Sequence, residues 1–260
     1  MQLWLPIAIS IVYLLAAHAF WRTSRARFNP LWALGLMVLA CQGHALVLIG
    51  QVGEGEAINL SIVNVLSIYG WAVACLSVIW LWRANVALAG VMICLLNALL
   101  IVLPLLFPTQ KAFMANLDQG MLWHILSSIA AWTVLSVALI NALLYGWMFH
   151  RLKQRQLSRH NPMALIGFER MMVWFSVIGF LLLSLSLFSG WLFVEDLFAQ
   201  HLWHKTLFTI LAWVVYGWLC FVYFIMHQRG MRVVYINFLG YGLLLTGYVI
   251  SNIILQFIVR

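Results

Sequence analysis

A chain of 260 residues that is 65% apolar and 8% charged, with a mean hydropathy of +1.02, lies outside the composition of soluble globular domains, and its solvent is a lipid bilayer. The formal charge of +8 does not point to nucleic acid, because cations and acids alternate loop by loop along the chain. No polar segment is long enough to bury a core of its own, so residues 1–260 are expected to form a single transmembrane domain.

A helical crossing needs about 20 apolar residues, and eight stretches meet that length: 3–21, 31–50, 60–82, 86–107, 121–148, 168–190, 203–226 and 233–257. The predicted fold class is all-α, a polytopic membrane bundle of about eight transmembrane helices. The first stretch has no basic residue before it and ends in Trp21-Arg22-Thr23-Ser24-Arg25, the reverse of a cleavable signal peptide, so it is expected to stay attached. Phe28-Asn29-Pro30 then breaks the chain, because proline lacks an N–H and biases the residue before it away from the α region. The glycines and acids around Gly53, Glu54, Gly55 and Glu56 predict a short turn. Pro104 is expected to kink the fourth helix and Pro108 to end it. Residues 191–205 are aromatic at 191, 193, 198 and 203 around charged positions, a pattern that suits a segment lying flat in the membrane interface. No convincing repeat relates the two halves.

Alternate loops carry opposite charge. Arg22, Arg25 and Arg27, then Arg83, then Arg151, Lys153, Arg155 and Arg159, and finally Arg229 and Arg232 fall in the odd loops; Glu54 and Glu56, Asp118, and Glu195 and Asp196 fall in the even ones. Retention of Lys and Arg in the cytoplasm predicts an N-out/C-out chain in a bacterial inner (plasma) membrane.

Within the helices, Cys41, Cys75, Cys94 and Cys220 form no C-x-x-C pair and read as small buried hydrophobes. Asn64, Asn97, Asn141, Asn252 and Gln256 are expected to bond between helices. Glu169 and Arg170 read as an interfacial pair. Most tryptophans fit an interfacial belt. Intramembrane ionisable groups are functional candidates, and here they are nearly all histidines. His150, His160 and His227 adjoin basic loops, and His18 sits near a helix end. His44, His124 and His204, by contrast, fall toward the outer ends of the second, fifth and seventh stretches; His44 lies six residues before Gly50, about 9 Å along the helix. Imidazoles on facing helices can ligate the iron of a haem, with aromatics such as Trp203 stacking nearby.

The order of a helix with an outer histidine, one further helix, an aromatic outer loop and then His204-Lys205 opening a helix resembles the cytochrome c assembly family of haem-handling membrane proteins. In that family the loop lysine is followed eight residues later by a tryptophan. Lys205 and Trp213 have that spacing, and the late Gln228-Arg229-Gly230-Met231-Arg232 turn resembles the HemX-like branch. The resemblance is strongest over 120–257. It implies haem b as cofactor, with His124 as the outer histidine and, beside the lysine, His204 as the second metal ligand. Lys205, Trp203, Trp213 and His44 complete the set of cofactor-contacting residues. The W-x-W-D of the family loop is replaced by His201-Leu202-Trp203-His204, so delivery of haem to apocytochrome c is not implied. No nucleophile, base and orienting group occur at a recognisable spacing, and G-x-G-x-x-G is absent; an enzyme is not expected. A non-catalytic membrane partner of another protein, or a transporter subunit without haem, stays open as the alternative. The partners expected are the lipid bilayer, haem and a membrane protein, with no nucleic acid.

Overall fold

The computed structural model describes residues 4–25, 29–54, 57–58, 61–84, 87–107, 119–154, 162–193 and 203–257. The chain is all-α, apart from a two-residue antiparallel pair, β1 (Gly53–Glu54) and β2 (Ala57–Ile58). Among the described residues seven helices are long and apolar enough to cross a membrane. The last helix, 27 residues long, covers the eighth apolar stretch. The chain separates into two compact units, residues 1–117 and 118–260.

The first unit contains α1 (Trp4–Ser24), α2 (Pro30–Val52), α3 (Ile62–Ala84), α4 (Ala87–Leu100) and the short α5 (Leu103–Leu106). Its four long helices form a ring in which each packs on the next and α4 returns to α1. Pro30 is the first helical residue of α2, where a missing N–H costs nothing, and Asn29 caps the helix by accepting the Leu31 N–H at 2.9 Å. Pro104 acts one turn earlier than a kink at its own position would: α4 ends at Leu100, the residue whose carbonyl a proline at 104 would both fail to bond and crowd. Small buried residues line the seams, among them Ala16, Ala17, Ala40, Ala74 and Ala89. This is how helices approach closely in lipid, where apolar burial alone does not drive association.

The second unit comprises α6 (Gln119–Lys153), α7 (Pro162–Phe193), α8 (Trp203–Phe224) and α9 (Met231–Phe257), again a ring with α9 returning to α6. Leu135, Met172, Leu183, Tyr216 and Leu219 are at its centre. At 1.5 Å per residue the 35 residues of α6 extend about 50 Å, well beyond a hydrocarbon core of about 30 Å; its last turn carries His150, Arg151 and Lys153. Polar side chains tie the ring together. Asn237 Nδ2 donates to Ser176 Oγ at 2.8 Å, and Ser136 Oγ and Tyr241 Oη are 2.7 Å apart.

Two expectations from the sequence are corrected here. Asn97 and Asn141 do not reach across to other helices with their amide N–H groups. They donate instead to the carbonyls of Ile93 and Val137 one turn back on their own helices. Glu169 does not pair with Arg170: it is 8% exposed and accepts the Gly230 N–H at 3.0 Å, while Arg170 beside it is exposed. The side chains of Asn252 and Gln256, and residues 194–202 of the predicted interfacial segment, lie outside the described residues.

Candidate functional site

The histidine with the most informative surroundings is His124, in the second turn of α6. Its Nδ1 lies 3.0 Å from the carbonyl oxygen of Ser186 and 3.3 Å from Ser189 Oγ on α7. A carbonyl can only accept, so Nδ1 carries the proton and the neutral ring presents its lone pair at Nε2. Among the described residues Nε2 has no hydrogen-bond partner. The supporting shell is a serine cluster. Ser128 Oγ donates to the His124 carbonyl at 2.7 Å, which leaves Ser186 Oγ to donate to Ser128 Oγ at 2.6 Å. Ser127 Oγ also donates to the His124 carbonyl, and Ser189 Oγ donates to the Ser186 carbonyl. The arrangement of a ring N–H held by a backbone carbonyl, with the other nitrogen bare, is the one that orients metal-ligating histidines.

Beside this imidazole is an apolar cleft of about 220 Å³ lined by Trp123, Leu185, Phe188, Ser189, Leu192 and Phe193. Ser189 is common to the cleft and to the His124 hydrogen bonds. Gly120 opens the first turn of α6 directly beneath the Phe193 ring, where any side chain would collide with it, so the two helix ends approach closely at this point. The indole of Trp123 is 67% exposed and forms one wall.

Of the residues expected to act together, the structure brings His124 and Lys205 to the same end of the second unit, in the second turn of α6 and the first turn of α8. Trp203, 41% exposed, opens α8 at that end. The His204 side chain lies outside the described residues. Trp213 is about 12 Å further along α8 than Lys205. It joins two helices: Nε1 donates to Ser184 Oγ at 2.7 Å, and the indole stacks on Phe180 with centroids 5.5 Å apart. His44 belongs to the first unit and is fully buried. Both its nitrogens are engaged, Nδ1 with Tyr13 Oη at 3.2 Å and Nε2 with Ser67 Oγ at 2.9 Å, so His44 could ligate iron only by giving up one of them. His18 is exposed beside Trp21, and no group of three or more His, Cys, Asp or Glu side chains suited to a metal ion occurs among the described residues.

Reading the sequence missed the serines. Ser127-Ser128 and the run Ser184, Ser186 and Ser189 are ordinary helix residues by pattern, and their only signal was that two serine-rich turns would face each other once α6 and α7 paired antiparallel.

The model of the family described as cytochrome c assembly protein matches residues 56–259. The chain belongs to the cytochrome c assembly family. It is 28% identical over 224 residues to the inner membrane protein YpjD of Escherichia coli strain K12, a match covering 85% of each chain. The YpjD proteins of E. coli O6:H1 and O157:H7 match with the same figures. No solved structure matches. With seven membrane-length helices and this likeness to inner-membrane proteins, the cytochrome c assembly family member is a multi-pass protein of the inner membrane. The family match takes in the second unit up to residue 259, and with it His124, its serine cluster and Lys205.

Proposed function

We propose that this member of the cytochrome c assembly family handles haem b, with His124 ligating the iron through Nε2 at the α6, α7 and α8 end of the second unit. The observation that carries the reading is the hydrogen bond from His124 Nδ1 to the Ser186 carbonyl. It sets the tautomer that ligation requires and holds the ring in place without occupying Nε2. The fit to a haem is good in donor chemistry and partial in enclosure. The neighbouring cleft of about 220 Å³ is smaller than the roughly 300–1,000 Å³ of enclosed small-molecule sites, so these residues would cover only part of a macrocycle. Haem, when bound, would supply a redox-active iron. In this reading Lys205 offers its ammonium to a propionate, Trp203 and Trp123 offer aromatic faces, and His204 offers the second imidazole. Trp213 acts at one remove, fixing α8 against α7. With the basic loops in the cytoplasm, this end of the bundle faces outward.

Protein purified in mild detergent after haem-replete expression should carry a Soret band. His124→Ala should remove most of it and His204→Ala should shift or weaken it. Colourless wild-type protein would overturn the reading, and colourless protein with a stoichiometric companion would favour a non-catalytic membrane partner instead.

A further inference from the structure

At the opposite end of the second unit, α6 finishes, α7 begins and α8 turns into α9. Among the described residues, the exposed Lys and Arg side chains there are Arg151, Lys153, Arg170, Arg229 and Arg232. Glu169 is the acid whose side chain is described at this end, and it is buried and turned toward the Gly230 N–H, so it does not face the cations' exposed side. A general bias of cations toward one side of a membrane would leave such side chains loosely arranged. Two of these are instead built into a turn. His227 and Gly230 both adopt left-handed conformations, with φ of 55° and 80°, and the Gln228 N–H bonds back to the Val222 carbonyl. Between and beside these fixed points, Arg229 donates to Tyr223 Oη at 2.9 Å and lies 4.8 Å over that ring; Arg232 donates to Gln228 Oε1 at 3.1 Å. Each guanidinium spends one donor on its own turn and keeps others for a ligand.

We propose that the α8–α9 turn is a binding site for the phosphate of an anionic phospholipid headgroup, with Arg229 and Arg232 as its ligands. A planar fork of N–H donors matches phosphate oxygens better than a point charge, and side chains already held in place lose less entropy on binding. A lipid is favoured over a free anion because Phe224, Ile225 and Met226, the residues just before the turn, are exposed and apolar. They continue the greasy surface on which acyl chains lie directly up to the arginines.

The test uses full-length protein in nanodiscs of phosphatidylcholine doped with phosphatidylglycerol, followed by native mass spectrometry of the lipids retained in detergent. Wild type should retain phosphatidylglycerol over phosphatidylcholine. Each cation near an anionic surface is worth about a fivefold change in binding, so Arg229→Gln with Arg232→Gln should reduce that preference by about twenty-five-fold. Arg229→Lys with Arg232→Lys, which keeps charge and sidedness, should still reduce it severalfold and serves if the glutamine variant does not fold. Lys153→Gln with Arg170→Gln removes equal charge from the same end but not from the turn, so it should reduce the preference by severalfold less than the Arg229 and Arg232 pair. An equal loss in that control would mean diffuse charge and overturn the proposal. So would no preference in wild type, or equal thermal stabilisation by inorganic phosphate in place of the lipid.

Discussion

Glu169 offers a sharp test of how the second unit is held together. It projects from α7, is 8% exposed, and accepts the N–H of Gly230 at 3.0 Å. Gly230 stands immediately before α9 and its carbonyl receives the Val233 and Val234 N–H groups, so it occupies the capping position of that helix while having no side chain with which to cap it. The Glu169 carboxylate, from another helix, instead takes the N–H of the N-cap residue itself, the donor that an N3 carboxylate takes in a capping box. Replacing Glu169 by Gln keeps an oxygen acceptor and removes the negative charge near the α9 N-terminus, an electrostatic contribution of about 0.3–2 kcal/mol. Replacing it by Ala also leaves the Gly230 N–H unbonded in a part-buried position, a further cost of about 1–3 kcal/mol. The expected order of stability is wild type, then Glu169→Gln, then Glu169→Ala. It should be read as the unfolding free energy of purified protein titrated with SDS in mixed micelles, followed by circular dichroism. A Glu169→Ala variant within about 0.5 kcal/mol of wild type, the range of an inconsequential surface change, would refute the capping role. Equal costs for Ala and Gln would mean that charge matters and the acceptor does not.

Three further outcomes follow from the packing. Trp213→Phe keeps the stack on Phe180 and loses the bond to Ser184, so it should cost about 0.6–1.7 kcal/mol in the same titration, the span for hydrogen bonds between membrane helices. Gly120→Leu drives a side chain into the Phe193 ring; overpacking of that kind costs about 1–3 kcal/mol, and haem retention should fall with it because Phe193 is a wall of the cleft. His44→Ala breaks the buried bonds to Tyr13 and Ser67 and should lower stability while leaving the Soret band of the purified protein unchanged.

Composition and period gave the outline of the fold. Among the described residues each of the eight apolar stretches contains a helix, seven of them of membrane length, because twenty apolar residues in a row have only one satisfactory backbone structure in lipid. Boundaries moved where local chemistry intervened: Pro162 opens α7 six residues before the apolar stretch begins, as proline can at a first helical position, and α6 continues into its charged last turn, which water and headgroups solvate. Asn97 and Asn141 went the other way from expectation because a short amide on a helix can always reach the carbonyl one turn back, and nothing in the residue's identity says which acceptor will be closer. Asn237 does bond between helices, and its partner Ser176 is 61 residues away and no more conspicuous than any other serine.

The candidate site divides along the same line. A histidine opening a helix, a lysine and a tryptophan eight residues apart were visible as letters in the chain. What gives His124 its chemical character was not, since the decisive partner is the main-chain carbonyl of Ser186, and every residue has a carbonyl. The same holds for Glu169, which is anchored by a main-chain N–H. In both cases a polar side chain that would be costly to bury alone is satisfied by backbone from another helix, at a helix end or beside a serine that loosens the ladder. In a protein this poor in charge, backbone groups are the most abundant polar partners inside the membrane. A histidine held in this way keeps one nitrogen free, whereas His44, held by two side chains, keeps neither. That difference, more than depth in the bilayer, separates the two imidazoles as ligands.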